Sequence, residues 1–197
     1  MRVLVLHGFN GSARKILRRG ASLWDAFRSR GWEVNTCDAP FPERNDRSRS
    51  WWRSAENYSG LVDSLRFLTT QRSPDVIVGF SQGAILTSII CGLRNNEDAK
   101  WAQETEFSCS ILKQAKGAVL ISGFQPNYVP VREAAFRKPI QIPSLHIIGE
   151  ADKIVLPDQS SALAAKFVNP IILKHTEAHD IPCSQYNNEI INHISGF

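Results

Sequence analysis

The sequence has few cysteines and no long apolar run, and both shortages exclude whole classes of protein. Its four cysteines are Cys37, Cys91, Cys109 and Cys183. They lie far apart without a Cys-x-x-Cys pair, so we expect buried free thiols and neither a disulfide framework nor a metal site. The longest apolar runs fall well short of the ~20 residues that span a bilayer. We therefore expect no membrane span and a reducing, cytoplasmic location.

The chain also lacks the motifs that bind cofactors and nucleic acids. No metal-ligand cluster, P-loop or dinucleotide fingerprint is present, so no cofactor is expected. A formal charge of +4 comes largely from two arginine-rich segments, 14–19 and 44–53. The first has helical spacing and is interpreted as a solvated helix face, whereas the second lies in a loop and could meet phosphate. Without a nucleic-acid-binding motif to support them, we expect no nucleic-acid partner.

Length and composition predict a single soluble domain over residues 1–197. A chain of 197 residues can bury one good core and is too short for two ordinary ones. Its 43% apolar and 21% charged residues exclude a disordered or fibrous class. The opening segment Arg2–Leu6 is too short for the apolar core of a signal peptide and runs directly into His7. It is interpreted as a first strand, and nothing in the sequence indicates an oligomeric state.

Short apolar segments alternate with helical patterns along most of the chain. The predicted strands are Val3–Leu6, Glu33–Cys37, Val76–Val78, Ala118–Ile121, Ser144–Ile148 and Ile171–Lys174. The predicted helices are Lys15–Arg30, Tyr58–Gln71, Ala84–Leu93, Gln159–Phe167 and Tyr186–Ile194. This alternation predicts an α/β fold with a mostly parallel sheet of about six strands, covered by helices on both faces.

Two segments, 40–57 and 95–116, do not fit a minimal alternating fold. The first contains Phe41, Trp51 and Trp52 among arginines. It is either a loop that covers the substrate or a loop that packs its own tryptophans onto the domain, and the sequence leaves both interpretations open. The second segment is interpreted as an insertion beside the site.

The apolar run at 75–83, Asp-Val-Ile-Val-Gly-Phe-Ser-Gln-Gly, is the most informative segment. It ends in Gly-x-Ser-x-Gly and continues into a helix-forming sequence, which is the pattern of a nucleophile elbow. There the serine lies on a strained turn, and a glycine two residues away on either side allows the turn to tighten. We therefore predict Ser81 as a nucleophile, in preference to a serine in an ordinary turn. The following helix would direct its N–H groups at an oxyanion beside it.

A serine nucleophile needs a base and an orienting carboxylate, which follow it along the chain in the order acid, then histidine, in α/β-hydrolases. Asp152, in the turn after the predicted strand 144–148, is the predicted acid. Glu150, nearer the strand, and Asp158, further into the loop, are its competitors. The alternative is a turn carboxylate without a catalytic role.

Two histidines compete to be the base. His179 is preferred, because it lies in the loop before the last helix and can reach the elbow, whereas His175 belongs to the end of a strand. An imidazole there would take the Ser81 proton at Nε2 and be held by Asp152 at Nδ1. The histidines expected to be structural are His7, His146 and His193.

An oxyanion hole takes one backbone N–H from the residue after the nucleophile and another from a loop after an early strand. The first would belong to Gln82. The second would belong to Phe9, in the glycine-flanked turn that follows the first strand.

Six motifs, spread over nearly the whole chain, occur together in one known family. They are Leu-His-Gly-Phe at 6–9, Asp-Ala-Pro-Phe at 38–41, Trp-Trp at 51–52 with Tyr-Ser-Gly-Leu at 58–61, Gly-Phe-Ser-Gln-Gly at 79–83, Gly-Glu-Ala-Asp-Lys-Ile-Val at 149–155 and His-x-x-x-His-x-x-Pro at 175–182. Together they resemble the FSH family of serine hydrolases, within the α/β-hydrolase superfamily. The elbow and acid motifs are shared with acyl-protein thioesterases and small esterases. One departure is Glu177-Ala178, where the family commonly has glycine before the histidine.

The resemblance implies a hydrolase of a small-molecule carboxylic ester or thioester, with Ser81, Asp152 and His179 as its triad. From composition alone, Phe41, Trp51 and Trp52 are expected to bind an apolar acyl chain, and the nearby arginines to hold an anionic head. The alternative from another class is a non-catalytic α/β-hydrolase scaffold that binds a small apolar ligand or a protein partner. A cofactor-free lyase or transferase with the same triad is a further alternative.

Overall fold

A parallel sheet forms the centre of the protein in the computed structural model, which describes residues 1–44, 47–96 and 114–197. The strands are β1 Arg2–Leu6, β2 Glu33–Thr36, β3 Phe41–Pro42, β4 Arg49–Ser50, β5 Val76–Phe80, β6 Gly117–Ile121, β7 Ser144–Gly149 and β8 Ile171–His175. Six of them make one sheet in the order β2-β1-β5-β6-β7-β8, and all five pairings are parallel. The predicted α/β class with about six parallel strands is therefore confirmed.

The apolar character of each strand follows its place in the sheet. The central strands β5, β6 and β7 are buried at every position, because helices cover both faces and leave no solvent side. The edge strands β2 and β8 include exposed residues. This explains why the central strands stand out in the sequence as uninterrupted apolar runs.

Helices lie on both faces of the sheet, as predicted. They are α1 Ala13–Arg19, α2 Ala21–Ser29, α3 Leu61–Thr69, α4 Gln82–Asn95, α5 Val129–Phe136, α6 Pro157–Ala164 and α7 Asn187–Ser195, with a 3-10 turn at Ser184–Tyr186. The helices α3 to α6 contribute to one apolar cluster, and α1, α2 and α7 contribute to a second. Within the described ranges, no helix combines the length and the apolar character needed to cross a membrane.

The single helix predicted over Lys15–Arg30 is wrong, because two helices meet there at Gly20. Gly20 has φ −101° and ψ 24°, and it caps the end of α1 and the start of α2. A Cβ on Gly20 would lie only 2.6 Å from the indole of Trp24. The indole Nε1–H donates to the carbonyl of Ile16 at 3.0 Å. The apolar spacing continues across the break, so the sequence pattern does not reveal it.

One further helix boundary differs from the prediction, and one helix is additional. The helix predicted from Tyr58 begins at Leu61, because Tyr58 and Gly60 have positive φ values of 52° and 92°. The helix α5 was not predicted at all. It begins with a proline in its first turn, a position where the missing N–H costs nothing.

The loop 40–57 packs its aromatic side chains inward wherever the structure describes it. Trp51 and Trp52 are 0% and 5% exposed, and Phe41 is 8% exposed. The indole of Trp51 donates to the carbonyl of His7 at 2.8 Å. This burial favours the packed-loop interpretation, and a role in covering the substrate stays a prediction. Of the segment 95–116, residues 97–113 lie outside the described residues, and so does the predicted insertion there.

The cysteines only partly match their expected burial. Cys91 is buried and forms no disulfide, and Cys37 is half-buried, where burial raises the pKa of its thiol to about 12. Cys183 is free but exposed, so the expectation of burial is wrong for that residue. Cys109 lies outside the described residues.

Candidate active site

Ser81 lies on a strained turn between the end of β5 and the start of α4. Its φ and ψ of 53° and −118° are rarely adopted by a residue with a Cβ, and such strain is retained where the surrounding structure enforces it. The backbone N–H of Ser81 donates to the carbonyl of Ile121 at 2.9 Å, while its carbonyl accepts from the N–H of Ala84 at 2.8 Å. Neighbouring backbone on both sides therefore fixes the turn.

Gly79 and Gly83 are required by close backbone contacts around this turn. A Cβ on Gly79 would collide with backbone atoms of Gly83 and Ala84, and a Cβ on Gly83 would collide with the carbonyl oxygens of Leu6 and His7. Because the obstructing atoms are backbone, no side-chain rotation would relieve the clash. The spacing Gly-x-Ser-x-Gly is thus a packing requirement here.

His179 lies between Ser81 and Asp152 and contacts both. Its Nε2 is 3.0 Å from Ser81 Oγ, and its Nδ1 is 2.7 Å from Asp152 Oδ2. The loop after β8 carries His179, and the imidazole packs on the Phe80 ring with 5.0 Å between centroids. Since an ionised carboxylate only accepts, Nδ1 carries a proton and Nε2 is left to accept from the serine hydroxyl. The Ser81, Asp152 and His179 side chains are thus brought together in one hydrogen-bonded series.

Asp152 is held as a buried carboxylate. Its side chain is 1% exposed, and its Oδ1 accepts from the backbone N–H groups of Ile154 at 2.8 Å and Val155 at 2.9 Å. Burial alone would raise the pKa of Asp152, but the hydrogen bonds from His179 and from these two N–H groups outweigh it and lower the pKa below its usual value. Asp152 is therefore ionised at neutral pH, with one oxygen reserved for His179.

The competing residues lie elsewhere. Glu150 is exposed, and Asp158 is exposed in the first turn of α6. His175 is buried at the end of β8, where its Nδ1 is 2.6 Å from Glu177 Oε2. The structure brings none of these three into the series that contains Ser81.

His7 organises the turn after β1. It is 1% exposed, its Nε2 accepts from the N–H of Ala39 at 3.1 Å, and its Nδ1 is 2.8 Å from the carbonyl of Gly8. Since Nε2 accepts, the proton lies on Nδ1 and is donated to Gly8. Burial lowers the pKa of His7, which keeps the imidazole neutral.

The other two histidines have ordinary packing or surface surroundings. His146 is 1% exposed within β7, contacts Ser144 Oγ at 3.2 Å and packs edge-on against Phe167. His193 lies on α7, with its Nε2 3.8 Å from Glu189 Oε1.

Of the two residues expected to supply oxyanion donors, Gln82 directly follows Ser81 and Phe9 follows Gly8, which approaches Ser81. Gln82 is the first residue of α4, and Phe9 lies in the turn after β1 with its side chain 59% exposed. That turn touches the elbow, because a Cβ on Gly8 would lie 3.1 Å from the Cβ of Ser81. The role of the two backbone N–H groups as oxyanion donors stays a prediction.

The side chain of Gln82 makes contacts that the sequence analysis missed. Its Oε1 accepts from the backbone N–H of Trp51 at 2.9 Å, and its Nε2 donates to the carbonyl of Trp52 at 3.4 Å. The helix α4 is thereby connected to the loop 40–57. Only the neighbouring serine marks Gln82 in the sequence, and no spacing rule relates it to residues about 30 positions away.

The aromatic residues predicted to bind substrate pack mainly on the protein itself. Trp52 stacks on Tyr58 with 4.6 Å between ring centroids, and the guanidinium of Arg53 lies 4.4 Å from the centre of the Phe41 ring. Contact of Phe41, Trp51 or Trp52 with an acyl chain stays a prediction. Across the described ranges, no group of three or more His, Cys, Asp or Glu side chains is placed to hold a metal ion.

Comparison with known proteins finds one matching family and several relatives. The model of a family described as serine hydrolase (FSH1) matches residues 1–191. Esterase OVCA2 of Xenopus tropicalis is 31% identical over 212 residues, which cover 92% of this chain and 86% of that esterase. Human esterase OVCA2 is 30% identical, covering 93% of this chain and 90% of its own length. Esterase CG5412 of Drosophila melanogaster is 31% identical, covering 98% and 72% respectively.

Solved structures with the same fold include two plant proteins, SOBER1 and an acyl-protein thioesterase. Arabidopsis thaliana SOBER1 aligns with a TM-score of 0.70 over 100% of this chain and 98% of its own, at 18% identity. Zea mays acyl-protein thioesterase 2 aligns with a TM-score of 0.64 over 98% and 93%, at 16% identity. At these identities, the comparison shows that the chains share the α/β-hydrolase fold.

Proposed function

The chain belongs to the serine hydrolase (FSH1) family, and from this premise we propose that it hydrolyses a carboxylic ester or thioester through an acyl-enzyme at Ser81. The observation that supports the proposal is the hydrogen-bonded series from Ser81 Oγ through His179 to Asp152, at 3.0 and 2.7 Å. It gives a nucleophile, a base and an orienting acid in contact, in the order that acyl transfer requires.

In the first half of the reaction, Ser81 Oγ attacks the carbonyl carbon of the substrate while His179 Nε2 takes the hydroxyl proton. The imidazolium that forms is stabilised by the ionised, buried Asp152 at Nδ1. When the tetrahedral intermediate collapses, the bond to the leaving oxygen or sulfur breaks. His179 then donates its proton to that atom, and the acyl group remains on Ser81.

In the second half, water replaces the leaving group. His179 takes a proton from the water molecule, whose oxygen bonds to the acyl carbon, and the proton then passes to Ser81 Oγ as the acyl bond breaks. The products are a carboxylic acid and the free enzyme. The same proton transfers serve an ester and a thioester, since the two substrates differ in the leaving atom.

The negative charge on the carbonyl oxygen would be stabilised by the backbone N–H groups of Gln82 and Phe9. Gln82 is the first residue of α4, so its N–H lies among the unpaired donors at the positive end of the helix dipole. The contact between Gly8 and Ser81 brings the second donor's turn to the same side of the elbow. Donors fixed in this way are typically worth about 3 to 4 kcal/mol each in the transition state.

The relatives that match nearly the whole chain bear the name esterase, which supports a small-molecule ester as the substrate. The thioester alternative draws on the shared chemistry and on the fold of the maize thioesterase. We further propose that an acyl chain lies near the aromatic residues of the loop 40–57. A series of esters of increasing acyl length tests that point, because an apolar site favours the longer chains.

Covalent labelling with a fluorophosphonate tests the proposed function. The probe phosphonylates an activated serine, so the wild-type chain should be labelled at Ser81, as located by mass spectrometry. Ser81→Ala should lose the label, and His179→Ala should react far more slowly because the hydroxyl has no base. Folded wild-type protein that resists labelling and hydrolyses no ester would instead support a non-catalytic scaffold.

A further inference from the structure

A cleft of about 490 Å³ lies beside the residues that flank Ser81 and His179. We call it the basic cleft, and its walls include Phe9, Lys15, Arg18, Arg19, Phe80 and Asp180. Phe80 precedes Ser81 and Asp180 follows His179, so the backbone that carries both reacting side chains also lines the cleft. Gly8 and Phe9 also line the cleft, and a Cβ on Gly8 would lie 3.1 Å from the Cβ of Ser81.

The cations of the basic cleft are only partly compensated. Lys15 Nζ donates to two uncharged groups, the carbonyl of Asn10 at 3.0 Å and the hydroxyl of Ser48 at 2.7 Å. Within the described part of the chain, Arg18 makes no ion pair. Arg19 lies 5.0 Å over the Phe80 ring, and its Nε is 3.5 Å from the half-exposed carboxylate of Asp180.

A second basic cleft, also of about 490 Å³, adjoins the first at Lys15. Its cationic side chains are Arg14, Lys15, Arg47 and Arg49, and its carboxylate is Asp38. The two clefts together hold six of the 23 lysines and arginines but only two of the 19 acidic residues. Positive charge therefore outweighs negative charge in the two clefts, and such a surplus attracts anions.

We propose that the basic cleft binds the leaving group of the substrate, and that this leaving group is an alcohol or thiol bearing a carboxylate or phosphate. The inference rests on the proposed function, since it assigns one half of the substrate of the same reaction. The exposed Phe9 ring at the cleft gives the carbon skeleton of such a group an apolar surface.

The position of the cleft favours the leaving group over the acyl group. The leaving atom must receive its proton from His179 Nε2, so the leaving group lies on the His179 side of Ser81. Asp180, the next residue after His179, is in the cleft wall and is held there by Arg19. The aromatic residues of the loop 40–57 then remain for the acyl chain.

Three acetyl esters with related phenolic leaving groups test the assignment. They are 4-acetoxybenzoate, 4-acetoxyphenyl phosphate and the uncharged 4-acetoxybenzamide. Each kcat/KM is divided by the rate of spontaneous hydrolysis, which corrects for leaving-group reactivity. The anionic esters should be preferred, and the two anions distinguish a carboxylate site from a phosphate site. Raising the ionic strength should reduce the preference, because the cleft is open to solvent.

Arg18→Gln is the diagnostic variant, and Arg72→Gln is its matched control. Each removes one positive charge, but Arg72 pairs with Glu33 and lies in another cleft, which contains Arg2 and Val3 at the start of β1. Arg18→Gln should lower the ratio of anionic to neutral kcat/KM by about 1.5-fold to fivefold, as expected for a solvent-exposed charge pair. Arg72→Gln should leave that ratio unchanged.

The outcomes separate this inference from the proposed function. If the neutral ester is hydrolysed in a Ser81-dependent manner while the wild-type ratio is near one, the leaving-group inference fails and the proposed function stands. Equal effects of the two arginine variants would also overturn it, because they would indicate a response to net charge alone. Failure of all three esters would overturn both.

Discussion

The backbone N–H of Trp51 donates to the side-chain Oε1 of Gln82 over 2.9 Å in the protein interior. Gln82, the first residue of α4 and the one after Ser81, therefore anchors the loop 40–57 through its side chain. Gln82→Ala keeps the backbone and removes this anchor, so a buried N–H loses its partner. We expect the free energy of unfolding to fall by about 1 to 3 kcal/mol, measured by denaturant titration.

A matched control is available in Gln159, whose Oε1 also accepts a backbone N–H, from Leu156 at 2.9 Å, but at an exposed site. Water can replace that acceptor, so Gln159→Ala should cost less than Gln82→Ala. Equal losses would show that burial of the Trp51 N–H does not matter. Faster amide exchange at Trp51 in Gln82→Ala would identify the loop as the segment that loosens.

Ser81 has a conformation that glycine adopts more easily, and this separates stability from activity. With φ 53° and ψ −118°, the Cβ of Ser81 strains the turn. Ser81→Ala keeps that Cβ and Ser81→Gly removes it, whereas both lack the nucleophile. We expect both variants to be inactive and Ser81→Gly to be the more stable by about 1 kcal/mol, after the entropic cost of glycine in the unfolded chain. If thermal unfolding shows the alanine variant equally stable, the strain at position 81 is no larger than the entropic cost of glycine.

Asp152→Asn should inactivate the enzyme through the tautomer of His179. The amide oxygen is needed by the N–H groups of Ile154 and Val155, so the amide NH2 would face His179 Nδ1. Nδ1 must then accept, the proton moves to Nε2, and the imidazole can no longer take the proton of Ser81. We expect kcat for a neutral ester to fall by about 10³- to 10⁴-fold. Cooperative unfolding of the variant should confirm that it is folded.

The same assay distinguishes Asp152 from its competitors in the sequence. Glu150→Gln and Asp158→Asn change exposed carboxylates that make no contact with His179, so each should keep kcat within about twofold, as is usual for surface substitutions. A large loss in either variant, with full activity in Asp152→Asn, would reassign the acid.

The meeting of Ser81, Asp152 and His179 could be predicted because each residue is marked by local sequence. Ser81 lies between glycines after a buried strand, and Asp152 and His179 each follow the end of a strand. Parallel strands bring such positions to one edge of the sheet, so their meeting follows from the topology. The break at Gly20 could not be predicted, because the apolar spacing of α1 and α2 is continuous across it.

Contacts between residues far apart in the chain could not be predicted from the sequence, for a different reason. The hydrogen bond between Gln82 and Trp51 and the position of Arg19 over Phe80 depend on how loops and helices pack at one end of the sheet. Neither residue type nor spacing specifies those distances. The sequence therefore predicts only a solvated helix face for the arginines of α1, although Arg18 and Arg19 line the basic cleft.

The buried His146 should make the protein less stable in acid. Burial lowers the pKa of His146 from 6.5 to about 3. Between these values the unfolded chain binds a proton that the folded protein excludes, so the stabilising effect is complete above about pH 6.5 and is lost progressively as the pH falls toward 3. The expected slope from this residue is about 1.4 kcal/mol of unfolding free energy per pH unit.

The His146→Leu variant should have a smaller slope, measured by urea unfolding at several pH values. Some slope in the same direction should remain, because burial also lowers the pKa of His7. An unchanged slope in His146→Leu would show that folding does not lower the pKa of His146.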